Sequence, residues 1–363
     1  MKGKNMLLHT LATGDKIHRY LKSIVVNFEG PRKVLSTSPH NGGLRTDLKA
    51  VFNNDGTSGA GMESKLLAPT YKEHMEILSE KLDLDPDRSA GISTAAQMEN
   101  VSVKTESYKQ ITVCAVVTGG VEVNGGRAGD PAGWDELSES PAQSSAHGTI
   151  NIMLFINTDL TEGALTRALV TCTEAKTAAL QELQAPSRYS SGLATGSGTD
   201  GTIIAADSSS DICLKDAGKH CKLGELIGKA VKSAVTEALF LQTGLSAGSQ
   251  RNVFRRVSRF GISEDSLWFL YKQKGGKSGR ALFSDFTAGA FCEGKLLSCV
   301  CMYTHLLDEL SWGLILPQDA EYAAKAVIQA AGLNFPEEPD GTAESYAGIL
   351  EHALADFILR SEA

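Results

Sequence analysis

Apolar and polar positions along this chain alternate between two periods. Residues 110–118 and 149–157 carry near-continuous runs of β-branched and other apolar residues, and 202–206 a shorter one, so three buried strands are predicted. Residues 23–28 and 33–37 read as further strands with Pro31 at the turn between them, and 89–93 as a short strand that runs into a helical turn. The 3.6-residue period takes over at 161–183, where Leu165, Leu169, Cys172, Ala175, Ala179, Leu180 and Leu183 share one stripe. It returns at 222–241 as an unbroken apolar face that Gly244 terminates. Asp159 and Glu162 have the spacing of a capping box for the first of these helices. Shorter helical patterns occupy 46–52 and 71–82, parted by a Gly/Ser stretch at 53–64 that reads as a surface loop.

These elements predict an α/β or α+β fold, a mixed sheet built on 110–118, 149–157 and 202–206 and flanked by the helices at 161–183 and 222–241. Strand order is not legible. At 363 residues the chain exceeds the usual single-domain size, so two cores, or one domain with an extension, are expected. The division falls near 244. Residues 245–363 bring a basic stretch (Arg251, Arg255, Arg256, Arg259), aromatics (Trp268, Phe269, Tyr271) and two helices at 318–331 and 342–359, separated by Gly332 and the segment from Pro336 to Pro339. That part reads as a mostly helical appendage, covering a partner surface or substrate cleft, or as a solvated extension.

Composition narrows the function classes. An apolar fraction of 42% supports packed cores, and a net charge of −8 opposes binding to nucleic acid or anionic membrane, both of which call for a concentrated positive field. Lys2 and Lys4 precede only a short apolar patch broken by His9 and Thr10, and no later run reaches the ~18 residues of a membrane helix. A cytoplasmic location and a small-molecule partner follow, with or without self-association. Seven cysteines, an odd number, do not resemble a secreted disulfide framework. Cys292, Cys299, Cys301 and His305 lack metal-ligand spacing in apolar surroundings and read as core residues, so no metal site and no cofactor are expected.

The candidate chemistry concentrates at 187–201, SRYSSGLATGSGTDG. Gly192, Gly196, Gly198 and Gly201 let backbone approach a ligand and turn N–H groups outward around Asp200, with Thr195, Ser197 and Thr199 adding hydroxyls. A flexible linker is the plainer reading, but a helix before and a buried strand after favour a ligand-facing loop. Lys176 lies inside the apolar stripe of the preceding helix, so it either snorkels or meets a buried anion, Asp200 being the natural one; Glu174 lies on the opposite face. His220 sits just before the helix at 222, where the dipole keeps an imidazole neutral, as a general base or a plain cap. The turns at Asn41 and at Asn124, Arg127 and Asp130 carry groups suited to pairing with amides, or simply make tight turns. Neither G-x-S-x-G nor a G-K-[ST] ending is present, which argues against an acyl-enzyme elbow and a nucleotide triphosphatase.

Six segments in order resemble the adenosylcobinamide amidohydrolases of corrinoid salvage: VLSTSPHNGG (34–43), NGGRAGDP (124–131), GTINIMLFIN (148–157), TEAKTAALQEL (173–183), ATGSGTDG (194–201) and KHCKLGELIGKAV (219–231). The sequence departs from the pattern at Asn124-Gly125-Gly126, where Asn-Ala-Ala is expected, and in a longer, serine-rich stretch at 135–147. Residues 246–363 have no counterpart in it. The resemblance implies hydrolysis of the amide between the aminopropanol arm and the corrin ring of adenosylcobinamide or a related cobamide, giving adenosylcobyric acid, with cobalt brought by the substrate. Loop N–H groups at Thr195, Gly196, Ser197 and Gly198 would then hold the oxyanion, Asp200 the water, and His220 or Lys176 the proton for the departing amine. Thr195, Ser197 and Thr199 remain alternative nucleophiles, while Asn41, Asn124, Arg127, Asp130 and Glu174 would bind substrate. A corrinoid-binding or regulatory module without turnover is the competing reading.

Overall fold

The computed structural model describes residues 5–57, 66–132, 135, 137, 148–292, 294–336 and 338–361. The chain divides into two compact units, Met1–Tyr189 with Leu193–Ser246, and Ser190–Gly192 with Ala247–Ala363. The first begins with strands β1 (Met6–Thr10), β2 (Lys16–Tyr20), β3 (Ser23–Asn27), β4 (Arg32–Ser36), β5 (Gly43–Arg45) and β6 (Ala50–Asp55), helix α1 (Tyr71–Lys81) and β7 (Ser89–Thr94). It continues with β8 (Ser102–Tyr108), β9 (Ile111–Gly119), β10 (Gly125–Gly126), β11 (Ile150–Ile156), β12 (Asp159–Leu160), α2 (Glu162–Glu182), β13 (Gly196–Ser197), β14 (Gly201–Asp207), β15 (Cys213–Leu214) and α3 (Lys222–Thr243).

Two sheets carry the unit, in strand orders β1-β2-β3-β6-β7 and β5-β4-β14-β11-β9-β8. The second is mixed, with β14 parallel to β11 and its other neighbours antiparallel. Because side chains alternate faces along a strand, one residue in two of β9, β11 and β14 faces the helices and the next faces the other sheet. Val113, Ala115, Val117, Ile150, Ile152, Leu154, Ile204 and Ala206 thus join the core with α2 and α3, whereas Cys114, Val116, Met153, Phe155, Ile203 and Ala205 join Ile24, Val26 and Val51 between the sheets. On the outer face of the first sheet, Val25 and Phe52 meet Met75, Leu78 and Leu82. The layers run helix, sheet, sheet, helix. A mixed α/β fold, as expected, is what results.

Several elements differ from expectation. Residues 46–52 read as helical because Leu48, Val51 and Phe52 have i, i+3, i+4 spacing, yet Ala50–Asp55 is a strand; the same short apolar run serves either period once a sheet on both sides can bury it. The cap of α2 is Thr161, whose hydroxyl accepts from Ala164 N at 3.3 Å. Asp159 instead belongs to β12, paired with β15 and ion-paired to Lys33 at 2.7 Å. The stretches at 58–64 and, apart from Asp135 and Leu137, at 135–147 lie outside the described residues.

The second unit is helical: α4 (Val253–Val257), α5 (Glu264–Gln273), α6 (Arg280–Ala290), α7 (Gly294–Ser311), α8 (Pro317–Ala330) and α9 (Ala343–Ser361). Its own core gathers Tyr271, Phe283, Phe291, Tyr303, Tyr346 and Leu350. Cys299 is buried, but Cys292 and Cys301 are only half-buried and His305 turns outward to Glu309 at 3.3 Å, so not all of that cluster is core. Only α8 and α9 of these helices are legible beforehand.

Candidate active site

The glycine-rich loop arrives at the start of β14 and wraps around the carboxylate of Asp200. Ile150 N donates to Oδ1 at 2.8 Å, Ser197 N to Oδ2 at 3.0 Å and Ser197 Oγ to Oδ1 at 2.6 Å. The fourth donor is Lys176 Nζ, from the edge of the α2 stripe, hydrogen-bonded to Oδ2. Both partners are largely covered, at 12% and 11% side-chain exposure, which makes this a desolvated pair rather than a surface one. The lysine in the apolar stripe therefore meets its anion, as the helix pattern expects. Four donors fill the roughly four acceptor positions of a carboxylate.

Gly196 owes its identity to that pair. A Cβ there would come within 2.4 Å of Asp200 Oδ2 and 2.7 Å of Lys176 Nζ, distances that real Cβ atoms do not show. Gly201 is excluded from carrying a side chain by Asn151 Oδ1 at 2.8 Å and Ile92 Cγ2 at 2.9 Å. Gly198 faces open space. One turn before Lys176, burial pushes the Cys172 thiol up to about 12, so it offers no nucleophile.

Around the pair, Thr199 Oγ1 donates to Gly148 O at 3.0 Å and lies 2.5 Å from Thr149 Oγ1. Thr195 accepts from Ala128 N at 2.9 Å through its hydroxyl and donates from its backbone N–H to Gly126 O at 2.8 Å, and the short pairing of β10 with β13 sets Gly126 opposite Gly196. The 124–130 turn is thereby stitched to the 193–197 segment. Asp130 Oδ2 accepts from Arg127 N at 2.7 Å and Ser187 Oγ at 2.6 Å, while Arg127 Nη1 reaches Leu193 O at 3.4 Å. Asn124, 2% exposed, donates to Gly148 O at 3.0 Å and accepts from Tyr189 OH at 2.6 Å. Asn124 and Asp130 thus spend their side chains on the turn.

Three expected site residues are not brought to the pair. Asn41 stands at φ 53° in the turn after β4, donating to Pro86 O and Ser89 O at 2.7 Å each. Glu174 is exposed and ion-paired to Lys219 at 2.8 Å. His220 is exposed and makes no hydrogen bond or ion pair with Asp200 or Lys176, and the N-cap of α3 is Cys221, whose Sγ accepts from Gly224 N at 3.4 Å. The helix wheel places Glu174 opposite Lys176, as observed, but it says nothing of Asn41 and His220, which lie in turns outside any helix.

A buried polar cluster that no motif announces lies between the sheets. Asn151 donates to Asn53 Oδ1 at 2.8 Å and to Ser93 O at 3.0 Å, and accepts from Gly201 N at 3.0 Å; Asn53 donates to Thr118 Oγ1 at 2.8 Å. It ties both sheets to the residue following Asp200. An asparagine inside INIMLFI is the signal that would have found it, since a buried amide in an apolar strand has to be paired. Among the described residues no group of three His, Cys, Asp or Glu side chains could hold a metal, and no helix is long and apolar enough to cross a membrane.

The family model for adenosylcobinamide amidohydrolase matches residues 8–247, which includes every residue of the cluster just described. The chain belongs to the adenosylcobinamide amidohydrolase family. It is 34% identical over 231 residues to an uncharacterized protein of Methanocaldococcus jannaschii, spanning 61% of this chain and 87% of that protein. A crystal structure of a Pyrococcus horikoshii protein matches 65% of this chain and 83% of its own at 14% identity and a TM-score of 0.28, a likeness that bears on neither fold nor function. Within this adenosylcobinamide amidohydrolase-like chain, the second unit lies beyond the matched region apart from Ser190–Gly192 and Ala247.

Proposed function

We propose that the chain hydrolyses the amide joining the aminopropanol arm to the corrin ring of adenosylcobinamide or a related cobamide, releasing adenosylcobyric acid. The observation that carries this reading is the covered Lys176–Asp200 pair, set in a glycine-opened loop inside the region that matches the amidohydrolase family. Water attacks the carbonyl carbon and passes a proton to Asp200; the C–N bond breaks and the amine nitrogen takes a proton from the pair. Asp200 is saturated at rest, so the Ser197 hydroxyl, free to rotate, is the donor that yields to the water.

Ser197 N is already engaged by Asp200 and Thr195 N by Gly126 O, so two of the loop amides expected to hold the oxyanion are spent. Lys176, with N–H groups left over, is the donor for the carbonyl oxygen. One such donor is worth about 10²–10³ in kcat. Lys176 then also supplies the amine's proton, since His220 is not in reach of the pair by any hydrogen bond. The substrate's own cobalt is the metal involved.

Incubation of the purified chain with adenosylcobinamide, followed by mass detection of adenosylcobyric acid, tests the reading. Asp200→Asn is expected to bind the corrinoid and form no product. Absence of product from the unmodified chain with any adenosylated corrinoid amide would leave a binding module without turnover in its place.

A further inference from the structure

Beside the ion pair stands an aromatic ring to which the mechanism gives no part. Tyr189 is 47% exposed, yet it is not a loose surface side chain. Its hydroxyl donates to Asn124 Oδ1 at 2.6 Å, and its backbone N–H donates to Ser187 Oγ at 3.0 Å. Asn124 in turn holds Gly148 O, the carbonyl that also receives the Thr199 hydroxyl. The ring is therefore anchored at its far end into the same hydrogen-bonded frame as the loop around Asp200.

The two glycines of the β10–β13 pairing fix where the ring lies. A Cβ built on Gly126 would meet Tyr189 Cδ2 at 3.5 Å and Cε2 at 3.6 Å; one built on Gly196 would meet Asp200 and Lys176. Gly126 and Gly196 are direct antiparallel partners. Directly opposed residues project to one face of a pair, with Cβ positions about 4.5–5.5 Å apart. Ring and ion pair are consequently neighbours on one face of the ladder, at the Gly126–Gly196 rung, which carries no side chain. A ligand lying against that face meets backbone, a cation and a flat ring with one side open.

An exposed, pre-oriented tyrosine ring loses little conformational freedom when it stacks, and a nucleobase is the partner that best matches its flat face. In adenosylcobinamide the adenine of the upper ligand is such a group, whereas the faces of the corrin are crowded by methyl and amide arms. We propose that Tyr189 is the stacking platform for the adenine of the substrate, so that this site reads whether the corrinoid is adenosylated. The inference rests on the proposed function for the identity of the substrate, and it adds a specificity-determining residue to it.

Equilibrium binding to the full chain, followed through the visible absorbance of the corrin, separates the two. The probes are adenosylcobinamide and cyanocobinamide, which lacks the adenosyl group. Tyr189→Leu, which keeps bulk over Gly126 and removes the aromatic face, is expected to weaken adenosylcobinamide about tenfold or more and cyanocobinamide by less than about threefold. Tyr189→Phe and Tyr189→Trp keep a ring and are expected to hold adenosylcobinamide within about threefold, with Trp the tightest. Equal losses for both corrinoids, or none, overturn the inference. If Tyr189→Leu does not fold, a flat Trp, Tyr, Phe ranking on adenosylcobinamide overturns it instead. Product formed from adenosylcobinamide with an unchanged ratio sinks the Tyr189 role alone; discrimination without product sinks the hydrolytic reading alone. An unmodified chain that binds neither corrinoid removes both.

Discussion

Gly196 shows how little room the Lys176–Asp200 pair leaves. With Asp200 and Lys176 both inside the space a Cβ would need, Gly196→Ala has to separate them, and amide cleavage is expected to fall about 10²–10³-fold with the cooperative melt retained; kcat/KM and a thermal scan check both halves. The histidines predict a pH effect of a different kind. Burial holds His40 and His74 below the ordinary imidazole value; Glu76, 3.9 Å from His40 Nδ1, works against this at His40, and Lys72 with it. The native state therefore refuses protons that the unfolded chain takes up below about pH 6.5, so stability is full above that value and declines as pH falls through it. Urea unfolding at about pH 7.5 and about pH 5.5 is expected to show the lower midpoint at the acid end, and His74→Gln to narrow the gap. Asp47, held at about 2 by Arg45, stays charged across that window and does not confuse the reading. At this scale Lys176 was legible because an ammonium inside an apolar stripe needs an anion. The outward face of Glu174 was legible from the same wheel, whereas His220 was not, since an exposed residue in a turn leaves no periodic trace.

Among the elements, α2 positions Lys176 and begins at a cap one residue before the helix. Thr161→Ala is expected to cost about 1 kcal/mol, measured as a shift of the denaturation midpoint at unchanged slope; a change under a few tenths would show that the cap is not what fixes the start of α2. Strands buried on both faces, β9, β11 and β14, announce themselves as apolar runs. Strands β1, β2 and β8 do not, because each leaves much of its length in solvent; KIHRY and SVKTESY have too few apolar residues to show a period, and the three of MLLHT stand side by side without alternation. The strand at Ala50–Asp55 fails for the opposite reason, its few apolar residues fitting both periods.

For the molecule as a whole, the family match ends at residue 247, and the three cores of the first unit draw on nothing beyond Leu245. A fragment of residues 1–246 is accordingly expected to unfold in one cooperative transition and to retain amide cleavage. A fragment that is unfolded by circular dichroism would show that the second unit is needed for the first to fold. That second unit has a core rich in tyrosine and phenylalanine spread over six described helices, of which the periodicity exposed two. Short helices such as Val253–Val257 contain too little of a 3.6-residue period to stand out from loop.

Local composition alone determined that this chain has a mixed α/β region, which helices bury a continuous face, and that a glycine-rich loop surrounds one aspartate, because each of these is written in residues close together. Tertiary structure alone decided that two sheets stack face to face, that Ser197 N turns in upon Asp200 rather than outward, and that Tyr189 shares a face with Lys176. Those outcomes depend on pairings between distant segments, such as Gly126 with Gly196 and Asn151 with Asn53, and hydrophobic periodicity carries no record of which distant partner a residue will meet.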